Sequence, residues 1–532
     1  MIEDGDQTSG KRSQKRATVD LLSPCIDHHA EGFAIGVFVK KFVFFFLLCI
    51  LTAVSAHSAD DAASRAMKLF ERRHYAEAVV ALRADLPSVE QGRQGAANLT
   101  LGMIYLKNAE LHRELYRESL SVHLDYLKKV VAAPGKDRSR FADLYMGEAL
   151  LETGKITDAL THLEKFAADT SVQQKYRTIA KASIGLGLFL QNDKQKAEET
   201  WAGLDASDPE ITMSLAAVYS KAGLKDKNAV ALAEEGLADL KKSGSAPTMQ
   251  DIKNVLTVYA TTGLSDKGLD LIKRADLKAF SFQESLGRTK VINFYDPSLL
   301  NDLSGLYLQA SIASLEKATG DAKLRDTANY YLGEAYALSG NIDQSARATA
   351  SFISSPQMPQ HYRDKAAVRQ AANQYQKGRK SYAIATWNDL AKKKPGDPDL
   401  LAEILLECDR LKVDCPTILE KAIDSIEEGE GKGFSTLNIA VGRYYLGRKD
   451  YAKAVSYIEA GRDKGNKNKI ESNDPLMLVS LADAYYRTKE FSEALEIYFE
   501  MSKQFPEVRQ IQEALQGIYA TEHKSAGDVK IF

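Results

Sequence analysis

The stretch Met146-Gly147-Glu148-Ala149-Leu150, followed by Gly154-Lys155-Ile156 and then Ala159, Leu163 and Phe166, decides the fold. Its large apolar residues fall at helical offsets on either side of Gly154, and glycine ends helices because it accepts the left-handed conformation without strain. The frame returns at Leu332-Gly333, Tyr336, Gly340, Ile342, Ser345 and Phe352. It returns again at Val441-Gly442, Tyr445, Tyr451, Ala454 and Ile458, and at Leu481-Ala482, Tyr485, Phe491, Ala494, Tyr498 and Pro506. Its constant element is a spacing of twelve between two small residues: Ala66/Ala78, Gly147/Ala159, Gly185/Ala197, Gly333/Ser345, Ala371/Ala383, Gly442/Ala454 and Ala482/Ala494.

One small residue lies midway along a first helix and the other early in a second, where two antiparallel helices approach most closely. A large side chain there would hold them apart. Gly154, Gly223, Gly340 and Gly378 mark the turns. Large residues (Leu82, Leu163, Trp201, Trp387, Ile458 and Tyr498) follow the second small residue by four, on the same helical face. Both tryptophans therefore read as core rather than as a stacking site for a ligand.

This frame resembles the tetratricopeptide repeat, with its small residue, Tyr, Ala, aromatic and Pro pattern. The interval here is nearer 38 to 40 residues, as from Ala159 to Ala197 or Ala454 to Ala494, and longer inter-repeat loops account for it. Weaker frames fill the gaps: Leu101-Gly102 through Tyr105, Leu215-Ala216 through Gly223, Tyr259 through Gly268, and Leu401-Ala402 through Ala422. The expected fold is all-α, a right-handed α-solenoid of antiparallel helix pairs, with about ten or eleven repeats over residues 60–508. Such a fold serves many partners and does not by itself fix a function.

Residues 274–296 leave the frame and read as an irregular linker that carries Phe280, Phe282 and the run Lys290–Tyr295. Asp296-Pro297 then reads as a helix start, with a longer helix from Ser298 to about Lys317. The break separates an N-terminal lobe, 57–273, from a C-terminal lobe, 297–508. Residues 509–532 supply a capping helix and a tail.

At the N-terminus, Lys40-Lys41 precede the apolar run 42–54 and then Ser55-Ala56. This pattern reads as a signal peptide, 37–56, cleaved after Ala56, or else as an uncleaved inner-membrane anchor with the repeats outside. Either way the bulk of the chain is exported, to a bacterial periplasm or envelope. The polar extension 1–36 in front of it suggests that translation starts near Val37 or Val39. Of the four cysteines, Cys25 and Cys49 fall in the segments expected to be lost. Cys408 and Cys415 flank a helix–helix turn and are either a disulfide staple or two free thiols.

Hydrophobic residues make up 44% of the 532 and charged ones 27%, which suits a soluble folded chain. A net charge of -2 lacks the basic excess of a nucleic-acid binder, so no nucleic-acid partner is expected. The sequence holds no His-Glu-x-x-His, no Gly-x-Ser-x-Gly and no phosphate-loop spacing; the Gly- and Lys-bearing stretch 429–435 reads as a loop. No catalytic set, metal site or cofactor is expected. The resemblance implies a concave face built from first helices. There the Lys and Asn clamp of chaperone-tail adaptors is missing, and Glu148, Tyr330, Glu334, Arg443, Asp483 and Tyr486 are the candidate partner-binding residues. The expected function is a protein–protein or peptide-binding scaffold of the cell envelope. An accessory subunit of an export or polysaccharide-secretion or outer-membrane assembly machine is the alternative, and an enzyme with a hidden site in 274–296 is a third.

Overall fold

The computed structural model describes residues 62–72, 74–89, 93–133, 139–274, 282–286, 290–294, 296–428, 435–462 and 473–522. The extension 1–36, the segment 37–56 with its cleavage point after Ala56, and the loop residues 429–434 lie outside them. Among the described residues no helix is long and apolar enough to cross a membrane.

In chain order, α1 (Ala62–Glu71) and α2 (Tyr75–Asp85) form a first pair, and α3 (Gln94–Val131) is a single long helix. Four pairs follow: α4 (Ala142–Glu152) with α5 (Ile156–Ala168), α6 (Gln174–Leu190) with α7 (Lys194–Ala202), α8 (Pro209–Lys221) with α9 (Ala229–Lys242), and α10 (Met249–Thr262) with α11 (Ser265–Arg274). Strands β1 (Phe282–Leu286) and β2 (Lys290–Phe294) come next, then a second single helix, α12 (Ser298–Ala318). Five more pairs are α13 (Arg325–Leu338) with α14 (Ile342–Ile353), α15 (Gln360–Gln376) with α16 (Lys380–Lys393), α17 (Pro398–Arg410) with α18 (Pro416–Glu428), α19 (Ser435–Gly447) with α20 (Tyr451–Ala460), and α21 (Pro475–Thr488) with α22 (Phe491–Ser502). Helix α23 (Arg509–Glu522) ends the described chain. The ten pairs make the fold an all-α, TPR-like array.

The spacing of twelve has the physical basis expected of it. A Cβ built on Gly147 would lie 2.5 Å from Leu163 Cγ and 3.1 Å from the Ala159 carbonyl oxygen. On Gly442 it would lie 2.5 Å from Ile458 Cγ1 and 3.1 Å from the Ala454 oxygen. The turn residues Gly154 and Gly340 take φ of 72° and 79°. Trp201 and Trp387 are buried, and their indole N–H groups donate to the carbonyls of Ala182 and Val368 at 3.0 and 3.1 Å.

Three features depart from the sequence reading. The weak frame at Leu101-Gly102 is not a helix pair but part of α3, whose 38 residues span about 57 Å. No glycine or proline interrupts it after Gly102, and strong helix formers carry it through. Within the segment read as an irregular linker, 282–286 and 290–294 pair as antiparallel strands, with Phe282 opposite Phe294 and Leu286 opposite Lys290. The third departure is the path of the array. First helices α4, α6, α8 and α10 follow one another from α3 and end on α12, which lies along α3. First helices α13, α15, α17, α19 and α21 then lead away from α12 and return to α3. The solenoid thus closes twice, into two rings that share the α3–α12 wall, while the second helices form the outside.

Hydrogen bonds trace the first circuit. Tyr116 of α3 donates to Glu152 at 3.1 Å, and Lys221 of α8 reaches the same carboxylate at 2.6 Å. Asn254 of α10 donates to Ser214 of α8 at 3.1 Å, and Thr257 donates to Asp302 of α12 at 2.6 Å. Ser304 and Ser311 of α12 donate to the α3 carbonyls of Ala109 and Gly102 at 2.8 and 2.7 Å. In the second ring, Tyr486 and Arg487 of α21 donate back to Asp125 and Ser121 of α3 at 2.7 and 2.8 Å. Helix α23 also packs on α3, and a Cβ on Gly517 would meet the Tyr126 ring at 2.6 Å. It seals the second ring rather than only capping the last pair.

Candidate functional site

Ring closure turns the inward faces of the first helices into two interiors, and both are polar. In the N-terminal ring a narrow recess is lined by side chains from α4, α6, α8 and α10 together with Asp296. Four carboxylates (Glu148, Glu152, Asp296 and Asp302) meet two ammonium groups there. Lys221 pairs with Glu152 and Lys253 with Asp296. Glu148 accepts only a hydroxyl, from Ser183 at 3.4 Å, and Asp302 accepts the Thr257 hydroxyl.

This pairing sorts the ionisation of the four acids. Burial pushes Glu148 up to about 7, and it pushes Asp302 up to about 7 as well. Burial acts on Asp296 too, but Lys253 and Lys221 outweigh it and hold that carboxyl well below the usual range.

The C-terminal ring holds a second buried charge cluster. Burial and the nearby Glu334 raise Glu110 to about 8, against the pull of Lys107. Burial also acts on Glu334, yet Lys107 and Arg369 prevail and hold it down to about 2. Arg369 reaches Glu334 at 3.3 Å, and its guanidinium lies 4.9 Å from the centre of the Tyr330 ring.

Of the six residues expected to bind a partner, Glu148 lies in the N-terminal recess and the other five lie inside the C-terminal ring. The expectation of an open groove anchored by Tyr330 and Tyr486 is corrected. Tyr330 packs between Phe352 and the Arg369 guanidinium, and its carbonyl accepts from Arg369 at 2.9 Å. Tyr486 is 7% exposed and spends its hydroxyl on Asp125. Glu334 is held by Arg369, Arg443 reaches Glu114 at 3.5 Å, and Asp483 accepts from Arg487 at 2.9 Å. For Glu334, Arg443 and Tyr486 the physical reason is closure, which brings their faces against α3, whereas Tyr330 is covered by its own and the next helix pair.

The sequence reading missed Lys221, Lys253, Asp296 and Asp302 in the first ring, and Lys107, Glu110 and Arg369 in the second. Glu152 follows Glu148 by four and was legible as the next turn of the same face. Cys408 and Cys415 are joined by a disulfide, with their Cα atoms 6.5 Å apart, beside the Tyr444 hydroxyl that accepts from the Cys415 N–H. Among the described residues no group of three or more His, Cys, Asp or Glu could hold a metal ion.

The raised carboxylates predict an inverted pH profile. Glu110, Glu148 and Asp302 keep protons in the folded state that the unfolded chain has already released, so stability is fully present below the unfolded values and declines as pH rises toward 8. Asp296 and Glu334 act in the opposite sense, but only at the acid end. Unfolding by urea should show a loss of at least about 1 kcal/mol between mildly acidic and mildly alkaline buffer. A flat or rising profile would contradict the reading.

No protein-family model matches the chain, and no curated protein matches it. Solved structures do resemble it. The yeast Tom70 structure has 12% identity and a TM-score of 0.31, covering 87% of this chain and 96% of that one. The Cut9–Hcn1 hetero-tetramer of APC/C has 14% identity and a TM-score of 0.26, covering 90% and 94%. The TPR domain of P58(IPK) has 14% identity and a TM-score of 0.19, covering 73% and 99%. Likenesses this loose carry neither a partner nor an activity to this chain.

Proposed function

We propose that the chain is a non-catalytic interaction scaffold, and that a peptide segment of a protein partner docks in the recess of the N-terminal ring. The observation that carries the proposal is the make-up of that recess. Helices α4, α8 and α10, with Asp296, supply charges of both signs, and α10 adds the side-chain amides of Gln250 and Asn254. Gln250 donates to Asn254 at 3.3 Å and Asn254 to Ser214 at 3.1 Å, so a peptide backbone would exchange into these amide bonds while the flanking charges select side chains. The scaffold works in an exported compartment, a bacterial periplasm or envelope. The Lys40-Lys41 and apolar-run pattern supports that reading, as does the Cys408–Cys415 disulfide, a bond that persists in oxidising surroundings.

Site-specific photocrosslinking in intact cells tests it. A crosslinking residue at Gln250 should capture a discrete partner adduct, while one at Tyr382, which is 63% exposed on α16, should not. Adducts from Tyr382 with none from Gln250 would move the binding surface to the outside of the array.

A further inference from the structure

Where the far end of the C-terminal ring returns to its start, α3, α19 and α21 enclose a second recess of about 550 Å³. Its wall includes Glu114, Arg117, Glu118, Arg443, Ser480 and Asp483. Most of these charges are spoken for. Arg117 and Arg443 both reach Glu114, at 3.0 and 3.5 Å, and Arg487 holds Asp483 at 2.9 Å. At the rim, Lys412 pairs with Asp409 at 2.9 Å.

Glu118 is the exception. It is 3% exposed, yet neither carboxylate oxygen has a hydrogen-bond partner among the described residues. Leaving a buried acceptor unsatisfied is costly, and more so when it is charged. The charged groups facing it from its own helix and from α21 are Glu114, Asp483 and Arg487, two of them of its own sign.

We propose that this seam is a binding site for a primary ammonium group, with Glu118 as the carboxylate that receives it and Asp483 beside it. An ammonium brings three N–H donors and one positive charge, the two things Glu118 lacks. A neutral donor would satisfy an oxygen but bring no positive charge to hold the carboxylate ionised. The established pairs around the site stay in place, so binding requires no salt bridge to break. In the empty site, burial and then Asp483 push Glu118 well above the ordinary carboxylate range, which favours its protonated form. The arriving ammonium displaces that proton to solvent, and the net charge of the wall plus its occupant is unchanged. The group can belong to a small free amine or to a lysine side chain of a peptide. This site is separate from the N-terminal recess and does not depend on it.

Isothermal titration of the full chain with cadaverine and, separately, with the tripeptide acetyl-Gly-Lys-Gly-amide tests the proposal. At least one probe should bind saturably and release protons, read as a heat that varies with the ionisation enthalpy of the buffer. Glu118→Gln keeps the shape and removes the charge, and it should weaken that binding roughly tenfold or more. Binding of cadaverine alone assigns a free amine, and binding of the tripeptide alone assigns a peptide side chain. No saturable binding of either probe overturns the proposal. So does equal affinity in Glu118→Gln, whose melting temperature should match or exceed that of the natural chain and so exclude misfolding as the cause.

Discussion

Gly102→Val should destabilise the protein by about 3 kcal/mol, the upper end of what overpacking a tight contact costs, and both rings should loosen together. A Cβ on Gly102 would lie 2.5 and 2.7 Å from the Leu315 Cγ and Cδ2 atoms and 3.2 Å from the Leu315 backbone nitrogen. Leu315 is fully buried, so its side chain has no empty space to enter, and the backbone contact stays even if it turns. The carbonyl of Gly102 also accepts the Ser311 hydroxyl, a bond that forced separation of α3 from α12 would break. Gly154→Ala is the control. At φ 72°, but with no atom within 4 Å of the added Cβ, it should cost about 1 kcal/mol by backbone strain alone. Urea unfolding of the full chain measures both variants, and hydrogen exchange shows where each acts. Loosening confined to the N-terminal ring in Gly102→Val would mean that α3 and α12 are not a shared wall.

Lys253→Met should cost a similar amount, about 3 kcal/mol, because it strands the Asp296 carboxylate in a buried site without its nearest cation. Lys221 stays nearby but is committed to Glu152. Two companion measurements separate lost charge from lost packing. Asp296→Asn in the same chain should recover most of the loss, since no buried charge then lacks a partner. The single variant should also gain on the natural chain as pH falls, when Asp296 takes up a proton. A double variant no better than the single one would show that Lys253 matters for its methylene stem, not for its charge.

The repeat was legible because packing two helices at close range demands small residues at fixed positions, and Gly147/Ala159 and Gly442/Ala454 show that demand directly. Pair positions, turn glycines and the long helix after Pro297 followed from it. Closure was less legible, although α3 carries its signal. Leu99, Ile104, Leu106, Leu111, Leu115, Val122 and Leu127 are all fully buried on this one helix, and they do not share a single face. Apolar residues on more than one face of a helix need cover from more than one side, and neighbours on one side could not have supplied it. What no local pattern announces is which distant helix supplies the cover. Tyr486 shows why: an aromatic residue on an inward face looks the same whether it awaits a partner or already touches α3. Lys253, Asp296 and Asp302 went unseen because they become neighbours only when α10 meets α12.

The bond between His112 and Glu507 spans 395 positions of chain, at 2.6 Å and with both side chains buried. Open repeat arrays touch only their sequence neighbours, so they can start folding anywhere, be shortened, and still stand. This protein gave up that freedom. Its second ring has no finished state until the final helix has been synthesised and has found a helix made near the start, which places the slow, entropically costly search at the end of folding. A nascent chain therefore carries α3 with one flank uncovered for most of its synthesis, and that flank is where a chaperone would be needed.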